Sequence, residues 1–261
     1  MVNCLFKSRK SILTWPLRLT TIALLASLQI SDPTYFPRIY YRLTDKLSET
    51  KIEKQLEKDF KTNYVGDSDE TAIKNLYAKL LIIQNENPAL LEHVKRIELL
   101  SRTVCDNSFV KAFNRNVGVA RLNNSIELHY DYDINTLAHE LAHIKYFNTS
   151  KKSKEKFNSL LEDKTNELSC TWLQYKFGKE LPFWKEDNSF GPKYGYINVI
   201  GALDDDENLA YYVGAAYNDY AYPWNAIDNT DPAYKKVLNY LLEEQFITQK
   251  QYNKICSYAE F

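Results

Sequence analysis

The sequence predicts an α+β fold: a mostly helical domain with a small β-sheet packed on one central helix, preceded by N-terminal helices. Three observations predict it. Gly and Pro number only 7 and 8 in 261 residues, so few breakers interrupt the helix-forming stretches. Residues 136–146 place Leu137, Ala138, Leu141, Ala142 and Ile144 around His139, Glu140 and His143 without a Gly or Pro, the make-up of a buried helix. Just before that run, residues 116–130 alternate apolar and polar positions, the two-residue period of strands.

Composition sets the outer bounds. With 44% hydrophobic residues the chain can fill a sizeable core, as one domain or one domain with an added segment. Residues 1–30 contain Lys7, Arg9, Lys10 and Arg18 and no acid, and the rest carries 29 basic against 34 acidic side chains. That balance, with no basic stripe, argues against a nucleic-acid partner. Cys4, Cys105, Cys170 and Cys256 lack metal-ligand spacing and do not form a disulfide framework.

Taken in order, residues 1–30 predict a secretory signal or signal-anchor, because a basic stretch at 7–10 precedes an apolar run at 19–30. The run is about 12 residues, short of the roughly 20 that span a bilayer. The expected location is therefore secreted or extracytoplasmic and membrane-anchored, with membrane association through residues 11–30. Residues 31–103 are expected to form an N-terminal helical segment. Pro33 and Pro37 give a linker at 32–41, and apolar residues at helical intervals (Leu47, Ile52, Leu56, Phe60) give a helix at 43–61. Residues 65–68, with Gly66, read as a turn. Asp67 and Glu70 then read as a capping box opening a helix at 69–84, with Ile73, Leu76, Leu80 and Leu81 inward. Asn87-Pro88 resets the chain before a third helix at 89–100, on which His93 faces solvent.

The principal domain is expected over 104–261. Strands at 116–122 and 125–130 flank Asn123-Asn124, a two-residue hairpin turn. His129 falls on the face opposite Leu128 and reads as structural. Asp133 is placed to cap the central helix. Residues 150–156 form a basic loop or helix start, and 157–177 a long helix ended by Gly178. An aromatic-rich loop follows at 179–196. Asp204, Asp205 and Asp206 cap a helix at 207–219, where acids suit the positive end of the dipole. Helices at 233–245 and 248–258 close the chain, the last with Thr248 and Gln251 in capping-box positions.

The chemistry sits in the central helix. His139, Glu140 and His143 form H-E-x-x-H. Positions i and i+4 share one helix face, so two imidazoles can close on one zinc ion, and Glu140 can reach a water on that ion as general base. A catalytic zinc takes three protein ligands and keeps a place for water. Glu207, 64 positions after His143, and Glu167, 24 positions after it, are the candidates for the third. His143 is the last histidine, which excludes a three-histidine site that takes its third ligand from downstream.

His139-Glu140-Leu141-Ala142-His143 with a Glu on a later helix resembles the gluzincin branch of zinc metallopeptidases. More narrowly, residues 195–213 resemble the lethal-factor-like and related zinc-binding metallopeptidases, where Gly-aromatic is followed by Glu-Asp-Phe-Ala-Glu-Tyr. Here the segment reads Glu207-Asn208-Leu209-Ala210-Tyr211-Tyr212. The resemblance covers about 85 residues, 128–213, and implies a zincin-like domain with Glu207 as zinc ligand and Ala210 packed toward the metal helix. Three departures stand out. Asn208 replaces an acid, Tyr211 replaces a second Glu, and Ile200 stands where the family often has a carbonyl-polarising Tyr. Tyr194 or Tyr196 would then stabilise the transition state.

The expected function is a zinc-dependent peptide-bond hydrolase acting on a peptide or protein through a metal-activated water, with Glu140 as general base. The alternative is a catalytically weak zinc-binding structural or adaptor domain.

Overall fold

The computed structural model describes residues 51–66, 69–100, 118–161, 205–218 and 232–258. Among these the protein is mixed α/β and mostly helical, with seven α-helices and one four-stranded sheet. Helix α1 (Lys51–Phe60) turns into strand β1 (Asn63–Gly66), and helix α2 (Glu70–Glu86) leads through a 3₁₀ turn (Pro88–Leu90) into β2 (Arg96–Leu100). The hairpin β3 (Gly118–Arg121) and β4 (Ser125–His129) precedes α3 (Ile134–Asn148) and α4 (Lys151–Asn158). Helices α5 (Asp205–Ala216), α6 (Pro232–Glu243) and α7 (Gln249–Tyr258) complete the order.

The sheet runs β1-β2-β4-β3, with β1, β2 and β4 parallel and β3 antiparallel at the edge beside β4. Register places Ile97 beside Ile126 and Leu99 beside Leu128. These four are fully buried and join Leu137, Ala138, Leu141, Ala142 and Ile144 of α3 in one core. The sheet therefore packs on the motif helix, as the alternation before it implied. On the opposite face Glu98 lies beside Glu127, and Arg121 donates to Glu127 at 3.1 Å.

The structure differs from the sequence-based expectation in several places. The predicted helix at 89–100 is the 3₁₀ turn followed by β2. Leu90, Val94 and Ile97 mimic a helical stripe, but Ile97, Leu99 and Leu100 are all fully buried. Arg96, Ile97, Glu98 and Leu99 do alternate, but the alternation spans only these residues, and the helical spacing that runs into it masks the strand. The predicted turn at 65–68 begins as β1, and Gly66 ends that strand at φ +132°, where an added Cβ would strike the Leu99 carbonyl. The hairpin loop has three residues rather than two, with Leu122 exposed at its tip and Asn124 left-handed at φ 64°, a common three-residue hairpin geometry. A helix starts within the expected basic loop or helix start at 150–156 and runs Lys151–Asn158; the helix expected at 157–177 is broken at Ser159, and its remainder from 162 lies outside the described residues. The observed helix starts where Ser150 accepts a bond from the Ser153 amide at 3.2 Å.

Other local readings hold. Asp133 Oδ1 accepts from the Thr136 amide at 2.7 Å and caps α3. Thr248 and Gln251 form the expected reciprocal cap, at 2.9 and 3.3 Å. Helix α2 is capped by Asp69 rather than the predicted Asp67, which lies outside the described residues. His93 is exposed.

The strands drawn from 31–103 and those drawn from 104–261 share this one sheet. Two ties hold α3 within the molecule, and a third joins segments distant in sequence. Lys79 of α2 donates to the Tyr132 carbonyl at 2.8 Å, just ahead of the helix. At the far end the Asn148 amide donates to Ile144 O at 2.7 Å and to Asn124 Oδ1 of the hairpin at 2.9 Å. Buried Asn87 donates to the carbonyls of Gln245 and Phe246 at 3.1 and 3.0 Å, joining the β2 approach to the C-terminal helices. No helix among the described residues is long and apolar enough to cross a membrane. Residues 1–50, which carry the predicted export segment, lie outside them.

Candidate metal centre

His139 and His143 sit one turn apart on α3 and share its face toward α5. Their rings meet edge to face with centroids 4.8 Å apart, and their Nε2 atoms are 3.1 Å apart. Helix α5 brings its N-terminus to that face. Glu207, in its first turn, places Oε2 3.3 Å from His139 Nε2 and Oε1 3.7 Å from His143 Nε2. The two helices approach closely because Gly214 has no side chain: a Cβ there would lie 2.9 Å from the Asn135 carbonyl and 3.3 Å from His139 Cβ.

This donor set fits a cation. Tetrahedral coordination with bonds near 2.0–2.1 Å separates ligand atoms by about 3.4 Å. The observed 3.1, 3.3 and 3.7 Å bracket that spacing. Two imidazole nitrogens facing each other at this range, with a carboxylate beside them, repel through their lone pairs unless a proton or metal ion stands between. His139, His143 and Glu207 thus form a close group compatible with a metal site.

Aromatic side chains hold the rings. Tyr211 packs edge-on against His139 at 4.7 Å, and Phe147 stacks on His143 at 6.0 Å. Asn208, where the resembling family has an acid, is completely buried. A carboxylate enclosed there would carry a desolvation cost that the neutral amide avoids.

Glu140, one position round the helix from His139, faces the sheet instead. It is buried, and the Ala120 backbone N–H of β3 donates to its carboxylate. Burial raises its pKa; the nearby histidines and the Ala120 amide oppose the rise, and Glu207 adds to it. The carboxylate lies directly on Gly118, where an added Cβ would come within 2.7 Å of Glu140 Cγ and 2.8 Å of Oε1. Gly118→Ala must move either the carboxylate or β3. Overpacking of this kind costs about 1–3 kcal/mol. The variant is accordingly expected to lose about that much stability while its metal uptake stays unchanged. Thermal unfolding and metal uptake measured on one preparation check this, and unaltered stability would contradict it.

The histidine and carboxylate charges are coupled. Burial alone would lower the His143 pKa, but Asp206 and Glu207 hold the charged ring and lift it to about 10. Burial likewise pushes Glu207 up, and its bonds to His139 and His143 more than reverse this, holding it far below the usual carboxylate range. Without metal, the two carboxylates therefore favour the protonated His143 ring. Its charge stabilises that state fully below the ordinary value of 6.5, and the contribution is lost as pH rises through about 10. Metals take only neutral imidazole, so binding expels the proton. Calorimetry at pH 7 in buffers of different ionisation enthalpy should show about one proton released per ion, and affinity rising with pH. Uptake without proton release would contradict the pairing.

The structure brings together four of the residues singled out from sequence: His139, Glu140, His143 and Glu207. His129 stands apart from them on β4, half-buried, its pKa lowered by burial against the opposing pull of Glu127 and Asp131. Glu167, Tyr194, Tyr196 and Ile200 lie outside the described residues. Sequence reasoning missed Gly118 and Asp206. A lone Gly inside an alternating strand signals a close approach by another group, and that signal was available. No family model matches the chain, and no curated protein or solved structure matches it.

Proposed function

We propose that the protein is a zinc-dependent hydrolase of peptide bonds, as the resemblance to gluzincin metallopeptidases implies. The observation that carries this reading is the convergence of His139 Nε2, His143 Nε2 and the Glu207 carboxylate beside a buried, unliganded Glu140. A divalent ion held by those three ligands supplies Lewis acidity and a water of lowered pKa. Glu140 then has the role of general base: its carboxylate takes the proton of the attacking water and returns it to the leaving amine. Burial suits it to both steps, because a raised pKa brings the acid and base forms closer in energy near neutral pH. The Ala120 amide fixes the orientation of that carboxylate. Zinc is the ion of choice for two imidazoles and one carboxylate with a position left for water.

Export through residues 1–30, with the enzyme secreted or anchored outside the cytoplasm, belongs to the same proposal, as does a peptide or protein substrate. The test is cleavage of a mixed peptide library by the purified chain, with and without a chelator. Cleavage that the chelator abolishes and zinc restores is the expected result. Bound zinc with no cleavage under any condition would select the structural or adaptor alternative.

A further inference from the structure

We propose that Asp206, the residue just before the third ligand, is the positioning residue for His143: its carboxylate holds the ring Nδ1–H so that Nε2 points at the ion. This rests on the metal reading above and adds a residue to it.

His143 is 6% exposed, and its Nδ1 is sealed from solvent and makes no hydrogen bond to the described residues. A buried ring N–H of this kind needs a partner. Asp206 Oδ2 stands 3.5 Å away, at the outer limit of a hydrogen bond. The same carboxylate is anchored through its other oxygen, since Oδ1 accepts from the Glu207 backbone amide at 3.0 Å. One side chain thus links the backbone of one ligand to the ring of another, across the α3–α5 contact. Holding Nδ1 protonated leaves the Nε2 lone pair free, on the side where His139 and Glu207 meet it. Partners of this type set the tautomer and ring orientation of a metal-binding histidine and raise its basicity.

The resemblance would not have located this residue. Four positions after Glu207, where the resembling family carries a second Glu, this chain has Tyr211, and its ring lies against His139. The rival account treats Asp206 only as one more acid in the first turn of α5, beside Asp205 and Glu207, where it would complement the helix dipole. Asp205→Ala separates the two, because it removes an acid from the same turn without touching His143.

The experiment measures Zn²⁺ affinity by competition with a chromophoric chelator for wild type, Asp206→Ala, Asp206→Asn and Asp205→Ala, alongside thermal unfolding of each metal-free protein. Loss of such a partner weakens metal binding about 10–100-fold. Asp206→Ala should fall in that range, Asp206→Asn should lie between it and wild type, and Asp205→Ala should bind within about twofold of wild type. Similar metal-free unfolding of the two alanine variants would show that the difference is not one of helix stability. Equal losses in Asp205→Ala and Asp206→Ala, or unchanged affinity in Asp206→Ala, would overturn the assignment while leaving the metal site intact. A wild type that takes up no zinc would overturn both.

Discussion

The proposed hydrolysis predicts that Glu140→Gln should bind metal as wild type does and lose about 10²–10⁴-fold in peptide cleavage, the range that general acid–base catalysis contributes. The substitution is nearly isosteric, and Glu140 is not among the three converging ligands. An amide can still accept from the Ala120 amide, so the local packing against Gly118 survives. What the amide cannot do is take up a proton at neutral pH. Stability should change little, or rise, because a neutral group replaces one that burial disfavours when charged. Parallel measurements of zinc content, thermal unfolding and kcat/KM check the three parts together. A variant with normal turnover would remove Glu140 from the mechanism.

The second large effect belongs to the third ligand. Glu207→Ala removes the only carboxylate in the three-residue group, leaving two imidazoles that face each other at 3.1 Å. Losing an outer partner already costs 10–100-fold in metal affinity, and losing a direct ligand should cost at least that much. The variant should purify without zinc and show no chelator-sensitive cleavage. Glu167→Ala should retain the metal if the two helices meet as described. Zinc retained in Glu207→Ala and lost in Glu167→Ala would transfer the third ligand to Glu167.

The legible parts of this protein are those where local chemistry and tertiary packing agree. Asp133 caps α3 as its spacing to Thr136 implied, and Leu137, Leu141 and Ile144 are as buried as their unbroken apolar run suggested. His139 and His143 share a face because helical geometry requires it. Ligand type leaves Glu207 and Glu167 equal and the resemblance favours Glu207, which α5 brings to the imidazoles across the contact that Gly214 permits. The illegible parts are those where the local pattern is short or shared. Strand β2 alternates only from Arg96 to Leu99, and the helical spacing of Leu90, Val94 and Ile97 runs into it. Asp206 sits in a run of four acids, residues 204–207, whose preference for a helix start explains all of them equally well. Only the distance to His143 distinguishes it. Gly118 matters through what presses on it, which a sequence expresses only as a missing side chain.

The most direct test is the metal content of the purified full chain, read by elemental mass spectrometry before and after chelation and after zinc is restored. One zinc per chain is expected, lost with the chelator and regained on readdition, with peptide cleavage following the metal at each step. A chain that carries no zinc as purified and binds none on titration would contradict the account at its root.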